Sequence, residues 1–107
     1  MLRKRYSAGM FWRRKPADTT PTFLKLDGSN AFRIRIKTAK RGEVVELRIT
    51  KSGDISPQDG GGYFVRKQVI GPQTFDRATL EITWGPNYTR PNVHVTNGEA
   101  IPVAAWD

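Results

Sequence analysis

The sequence predicts an all-β domain preceded by a basic arm. From Thr22 onward the apolar residues recur with period two, and Gly, Pro, Asn and Asp punctuate the runs. No segment shows a helical stripe. Basic residues crowd the front: Arg3, Lys4, Arg5, Arg13, Arg14 and Lys15 all lie within Met1–Pro16, which holds no acid. That arm carries +6 of the formal charge of +8, and the rest of the chain is close to neutral. At 107 residues and 37% hydrophobic content there is material for one core, not two.

The arm and its linker are assigned to residues 1–21, and the β domain to 22–107. The polar stretch Ala17–Pro21 ends in proline and marks the boundary. Tyr6, Phe11 and Trp12 lie among the arm's charges. A purely solvated tail has little use for such rings, so the mixture predicts an arm that engages a partner. Cations neutralise phosphates, and flat rings stack on unpaired bases.

Thr22–Leu26 is the first predicted strand, closed by the turn Asp27-Gly28-Ser29-Asn30. Ala31–Thr38 is the clearest strand, with Phe32, Ile34 and Ile36 on one face and Arg33, Arg35 and Lys37 on the other. Val44–Thr50 repeats the pattern, with Val45, Leu47 and Ile49 inward and Glu46 and Arg48 outward. Lys51–Gly62 reads as a long glycine-rich loop. Tyr63–Ile70 is apolar without clean alternation, whereas Ala78–Trp84 alternates well. Asn92–Thr96 places Val93 and Val95 together, and Ile101, Val103 and Ala105 predict a last strand.

One hairpin can be specified residue by residue. A four-residue loop, Ala39-Lys40-Arg41-Gly42, with Gly42 at positive φ, sets Ile36 opposite Val45, Ile34 opposite Leu47 and Phe32 opposite Ile49. A slip of one residue would turn every apolar side chain outward, so this register is strongly specified. On the outer face Arg35 meets Glu46, and Arg33 meets Arg48, a pairing that needs an anion or a nearby acid to relieve it. Lys37, Lys40 and Arg41 extend the basic strip to the hairpin tip.

Many short strands in so short a domain predict a small β-sandwich, jelly-roll-like or immunoglobulin-like, in preference to an OB-like barrel. The absence of cysteine excludes disulfide scaffolds, thiol catalysis and Cys-ligated zinc. Apolar runs are too short for a transmembrane helix or a signal-peptide core, so the expected location is cytoplasmic or inside an assembly such as a virion, without evident secretion.

Chemistry-bearing motifs are sparse. His94 is the lone histidine and has no cysteine to join it in a zinc site. No serine lies in a nucleophile-elbow motif. Glu46 and Glu81 read as ion-pair partners rather than a catalytic pair. Asp54 and Asp59 lack a calcium-binding ladder, and Gly60-Gly61-Gly62 is not a phosphate loop. Trp84 is expected at the edge of the core, and Tyr88 and Arg90 at the surface. No cofactor is implied.

The sequence therefore predicts a non-enzymatic domain that binds nucleic acid or another polyanion. The arm supplies Arg3, Lys4, Arg5, Tyr6, Phe11, Trp12, Arg13, Arg14 and Lys15, and the strip supplies Arg33, Arg35, Lys37, Lys40, Arg41 and Arg48. The alternative is a structural subunit of a larger assembly, such as a viral or phage particle, in which the arm clamps neighbouring copies or packaged nucleic acid.

Overall fold

The computed structural model describes residues 22–106. Every arm residue named above, from Arg3 to Lys15, lies outside the described residues. The described chain forms eight strands in two antiparallel four-stranded sheets. They are β1 (Lys25–Leu26), β2 (Ala31–Thr38), β3 (Val44–Thr50), β4 (Ser56–Pro57), β5 (Tyr63–Ile70), β6 (Arg77–Trp84), β7 (Asn92–Thr96) and β8 (Gly98–Ala100).

In the first sheet β2 is central. β3 pairs along one of its edges, and β1 and β8 lie end to end along the other. The second sheet runs β4-β5-β6-β7. The alternation of β2 and β3 points Phe32, Ile34, Ile36 and Ile49 at Val65, Val69, Ala78, Leu80, Ile82 and Trp84 of the second sheet, and these form one core. Ile34, Ile36, Leu80 and Ile82 are completely buried. Burying a side chain of that size contributes about 1.5–3 kcal/mol, and this inner layer is what holds the two sheets together.

The β2–β3 register is the predicted one: Phe32 faces Ile49, Ile34 faces Leu47, Ile36 faces Val45, and Arg33 faces Arg48. Gly42 closes the loop at φ 70, where a side chain would be strained, and its N–H donates to the Thr38 carbonyl at 3.0 Å. β5 fails to alternate cleanly because Lys67 occupies an inward phase. Its ammonium is met by the Asp54 carboxylate at 3.0 Å.

Three expectations are corrected. The first strand is confined to Lys25–Leu26 and does not begin at Thr22. The last strand is Gly98–Ala100, while Val103–Ala105 is a 3-10 turn. Ile101 N–H still donates to the Arg35 carbonyl at 2.9 Å, but from Arg33 onward that edge of β2 is taken by β1, so the run Ile101, Val103, Ala105 has no ladder left to continue along. The chain reaches β8 through Asn97 at φ 64, and a Cβ at Gly98 would lie 2.8 Å from the Lys37 carbonyl oxygen, so only glycine fits against β2 there. Finally, the Lys51–Gly62 loop contains β4, which pairs Ser56 with Phe64 and Pro57 with Tyr63.

Candidate functional site

The outer face of the first sheet is built by the same alternation that fills the core. β2 presents Arg33, Arg35 and Lys37, and β3 presents Glu46 and Arg48. Arg33 and Arg48 do stand opposite each other. Their repulsion is relieved by an acid of the chain itself. Asp27, in the turn after β1, accepts from Arg33 Nε at 3.0 Å and from Arg48 Nε at 2.8 Å through one oxygen, Oδ2. Hydrogen bonds from Arg48 and then Arg33 hold the Asp27 carboxyl below its ordinary pKa, and the bond to Asp27 raises that of Arg33.

Glu46 continues the chain of charges. Its carboxylate accepts from Arg33 Nη1 at 3.2 Å and from Arg35 Nε at 2.9 Å. The Arg35 guanidinium lies over the Trp106 ring, 4.7 Å from its centroid. Trp106 is fixed in turn by its indole N–H, which donates to the Ile101 carbonyl at 3.1 Å. Around this ladder Lys25, Leu26, Asp27, Arg33, Arg35, Glu46 and Trp106 line a shallow cleft of ≈ 250 Å³. Three arginines interleaved with two carboxylates leave far less net charge than the sequence spacing implies.

The hairpin tip is a separate cluster. Arg41 is not a freely available cation: its Nη1 donates to Asp76 Oδ1 at 2.8 Å, and its backbone N–H donates to Asp76 Oδ2 at 2.8 Å. Thr38 Oγ1 also donates to Asp76 Oδ2, at 2.9 Å. Asp76 is buried, and burial alone would raise its pKa. The bonds from Thr38 and Arg41 outweigh that effect and hold it below the ordinary carboxylate value. Beside it, Glu43 accepts from the Thr74 hydroxyl at 2.7 Å and the Thr74 N–H at 2.9 Å, which lowers its pKa as well. These two acids fasten the turn between β5 and β6 to the β2–β3 hairpin.

Lys37 and Lys40 are exposed and make no ion pair with any described residue. Lys40 shares a cleft of ≈ 320 Å³ with Ala39, Asn97 and Arg77. Arg77 was missed by sequence reading; it precedes the alternating run of β6, and only its register against Ile70 at the hairpin end places it here. The predicted strip is thus divided into an ion-paired ladder of Arg33, Arg35 and Arg48 and a tip where Arg41 is tied to Asp76 and only Lys37 and Lys40 lack an ion pair among the described residues.

Trp84 is buried at the edge of the core, as expected. Tyr88 was expected at the surface, yet it stacks on Tyr63 with ring centroids 4.0 Å apart and meets Phe32 and Trp84. Burial pushes its phenol pKa up. Asn87, Tyr88 and Arg90 all take positive φ, and that sharp path folds Tyr88 back onto Tyr63. Lys51 completes the cluster, 4.5 Å above the Tyr88 ring.

His94 stands opposite Glu81 on the exposed face of the second sheet. Glu46 lies on the first sheet, bound to two arginines. Among the described residues no group of three His, Cys, Asp or Glu side chains is placed to hold a metal ion, and no helix is long and apolar enough to cross a membrane. Comparison with protein-family models, curated proteins and solved structures finds no match.

Proposed function

We propose that the chain is a non-enzymatic nucleic-acid-binding domain whose contacts are made chiefly by its N-terminal arm. One observation carries this reading: +6 of the +8 charge sits in residues 1–16, while Arg33, Arg35, Arg41 and Arg48 of the folded body are paired with its own acids. Arg3, Lys4, Arg5, Arg13, Arg14 and Lys15 neutralise phosphates, and Tyr6, Phe11 and Trp12 stack on bases. Lys37, Lys40 and Arg77 give the body a smaller second contact, and Arg33, Arg35 and Arg48 contribute less than their number implies. A sandwich rather than a barrel is supported by the two separate sheets, each with its own edge strands.

The test is removal of residues 1–16. The truncated protein keeps its fold and loses most of its affinity for single-stranded oligonucleotide. With about six phosphate contacts gone, the slope of log affinity against log salt falls by about 4. Unchanged affinity and slope would remove the arm from the account.

A second reading, the structural subunit of an assembly, is favoured by Phe75. This side chain is 74% exposed at the tip of a turn that Glu43 and Asp76 hold rigid. Its φ is 62, so a strained backbone presents an apolar ring to solvent.

A further inference from the structure

Among the described residues the outer edge of β3 is open, and β3 pairs with β2 alone. Which of its backbone groups face outward follows from the hairpin. Thr38 N–H donates to the Glu43 carbonyl at 2.9 Å, and bonding alternates from there, so Val45, Leu47 and Ile49 spend their N–H and C=O groups on β2. Val44, Glu46, Arg48 and Thr50 aim theirs away. At Thr50 the outward groups are already used: its N–H donates to Asp54 Oδ2 at 2.8 Å, and its carbonyl accepts from Asp54 N–H at 3.0 Å. Val44 remains at the end of the edge, and Glu46 and Arg48 remain at its middle.

We propose that this edge docks a second copy of the chain, β3 against β3 and antiparallel, with the twofold axis at Leu47. Three features select that partner and register. In this alignment Glu46 and Arg48 are mutually opposite residues of the hydrogen-bonded kind, and two such pairs supply four main-chain bonds. Each Glu46 then faces the Arg48 of the second copy on the outer face. A shift of two residues either way sets Glu46 against Glu46 or Arg48 against Arg48, so charge forbids the neighbouring registers. On the inner face Leu47 meets Leu47 and Val45 meets Ile49, which extends the apolar layer across the junction; Val45 and Leu47 are half-buried at the rim of the core. Arg48 reaches Asp27 through Nε only, so its terminal nitrogens remain for the neighbour's carboxylate. An edge guarded by charge of one sign would repel its own copy. This edge is complementary to itself.

The experiment is the mass of the full-length protein, free of nucleic acid, by analytical ultracentrifugation over concentrations up to about 1 mM, the weak end of specific association. The mass rises toward twice the monomer, and added salt weakens the association. Glu46→Arg and Arg48→Glu each weaken self-association at least about tenfold, the equivalent of one lost ion-paired contact on each side of the axis. An equimolar mixture of the two variants associates again, because each then faces its opposite charge. A monomer at every concentration overturns the proposal, as does a dimer indifferent to both variants or a mixture no better than its parts. Should a variant fail to fold, amide exchange in the wild type decides. The Glu46 and Arg48 N–H groups gain protection with concentration while that of Leu47 does not; protection independent of concentration assigns the edge to the chain's own arm and sinks the dimer.

Discussion

The two faces of β2 are made by alternate residues of one strand, yet they treat carboxylates in opposite ways. Inward, Phe32, Ile34 and Ile36 are buried, and the row ends at Thr38, whose hydroxyl meets the buried Asp76. Outward, Arg33 and Arg35 meet the half-exposed Asp27 and Glu46. Asp76 pins two loops together in a place water does not reach. Asp27 separates two like charges in water. Burial makes the first interaction structural, and exposure makes the second an adjustment of surface charge. A basic pattern in a strand sequence therefore overstates the charge that a partner meets.

The contrast breaks first on the inner face. Ile34→Ala leaves a cavity at a fully buried position and costs roughly 2–5 kcal/mol in denaturant melts. A neutral outcome would mean that the two faces are reversed. Asp76→Ala comes next. It strands the Thr38 hydroxyl and the Arg41 N–H, so the melting temperature falls clearly and the N–H groups of Gly71 and Phe75, which close the neighbouring turn, lose exchange protection. The same site sets the acid limit. The pKa values of Asp76, Glu43, Asp54 and Asp27 are all lowered by folding. Their contribution is full above the ordinary carboxylate value of about 4 and is lost as pH falls through the lowered values. The Asp76→Ala protein starts less stable and loses stability less steeply in acid; an unchanged acid slope would take Asp76 out of the linkage.

The β2–β3 hairpin was legible residue by residue because a half-buried strand has a period of two and only one register keeps both apolar rows together. The elements that escaped have no such period. β8 is Gly-Glu-Ala, without apolar alternation, and exists because the edge of β2 opposite β3 accepts it and Gly98 permits the approach. β4 is two residues inside a polar loop. Tyr88 looked like a surface residue because its neighbours are turn formers; only the positive-φ path folds it back onto Tyr63. At the candidate site the facing of Arg33 and Arg48 was legible, and so was the need for an acid. Which acid was not, because Asp27 arrives from a turn whose closure the strand pattern does not describe.

That acid provides the smallest effect and the sharpest test of the outer face. Asp27→Asn keeps the shape of the turn residue and removes its charge, so Arg33 and Arg48 face each other unrelieved. At low ionic strength the variant melts slightly below wild type, by at most about 2 °C, because these side chains are well exposed and solvent screens them. The gap closes as chloride is added. Sulfate acts differently, since an anion held between the two guanidiniums restores charge-assisted hydrogen bonds and stabilises only the folded state. Sulfate also stabilises proteins generally through exclusion from their surfaces, and the wild type, where Asp27 already occupies the position, reports that general part. The variant therefore gains more from sulfate, and from a short oligonucleotide, than the wild type does. Equal gains would show that the space between Arg33 and Arg48 holds no anion even when vacated, and the outer ladder would then have no part in binding.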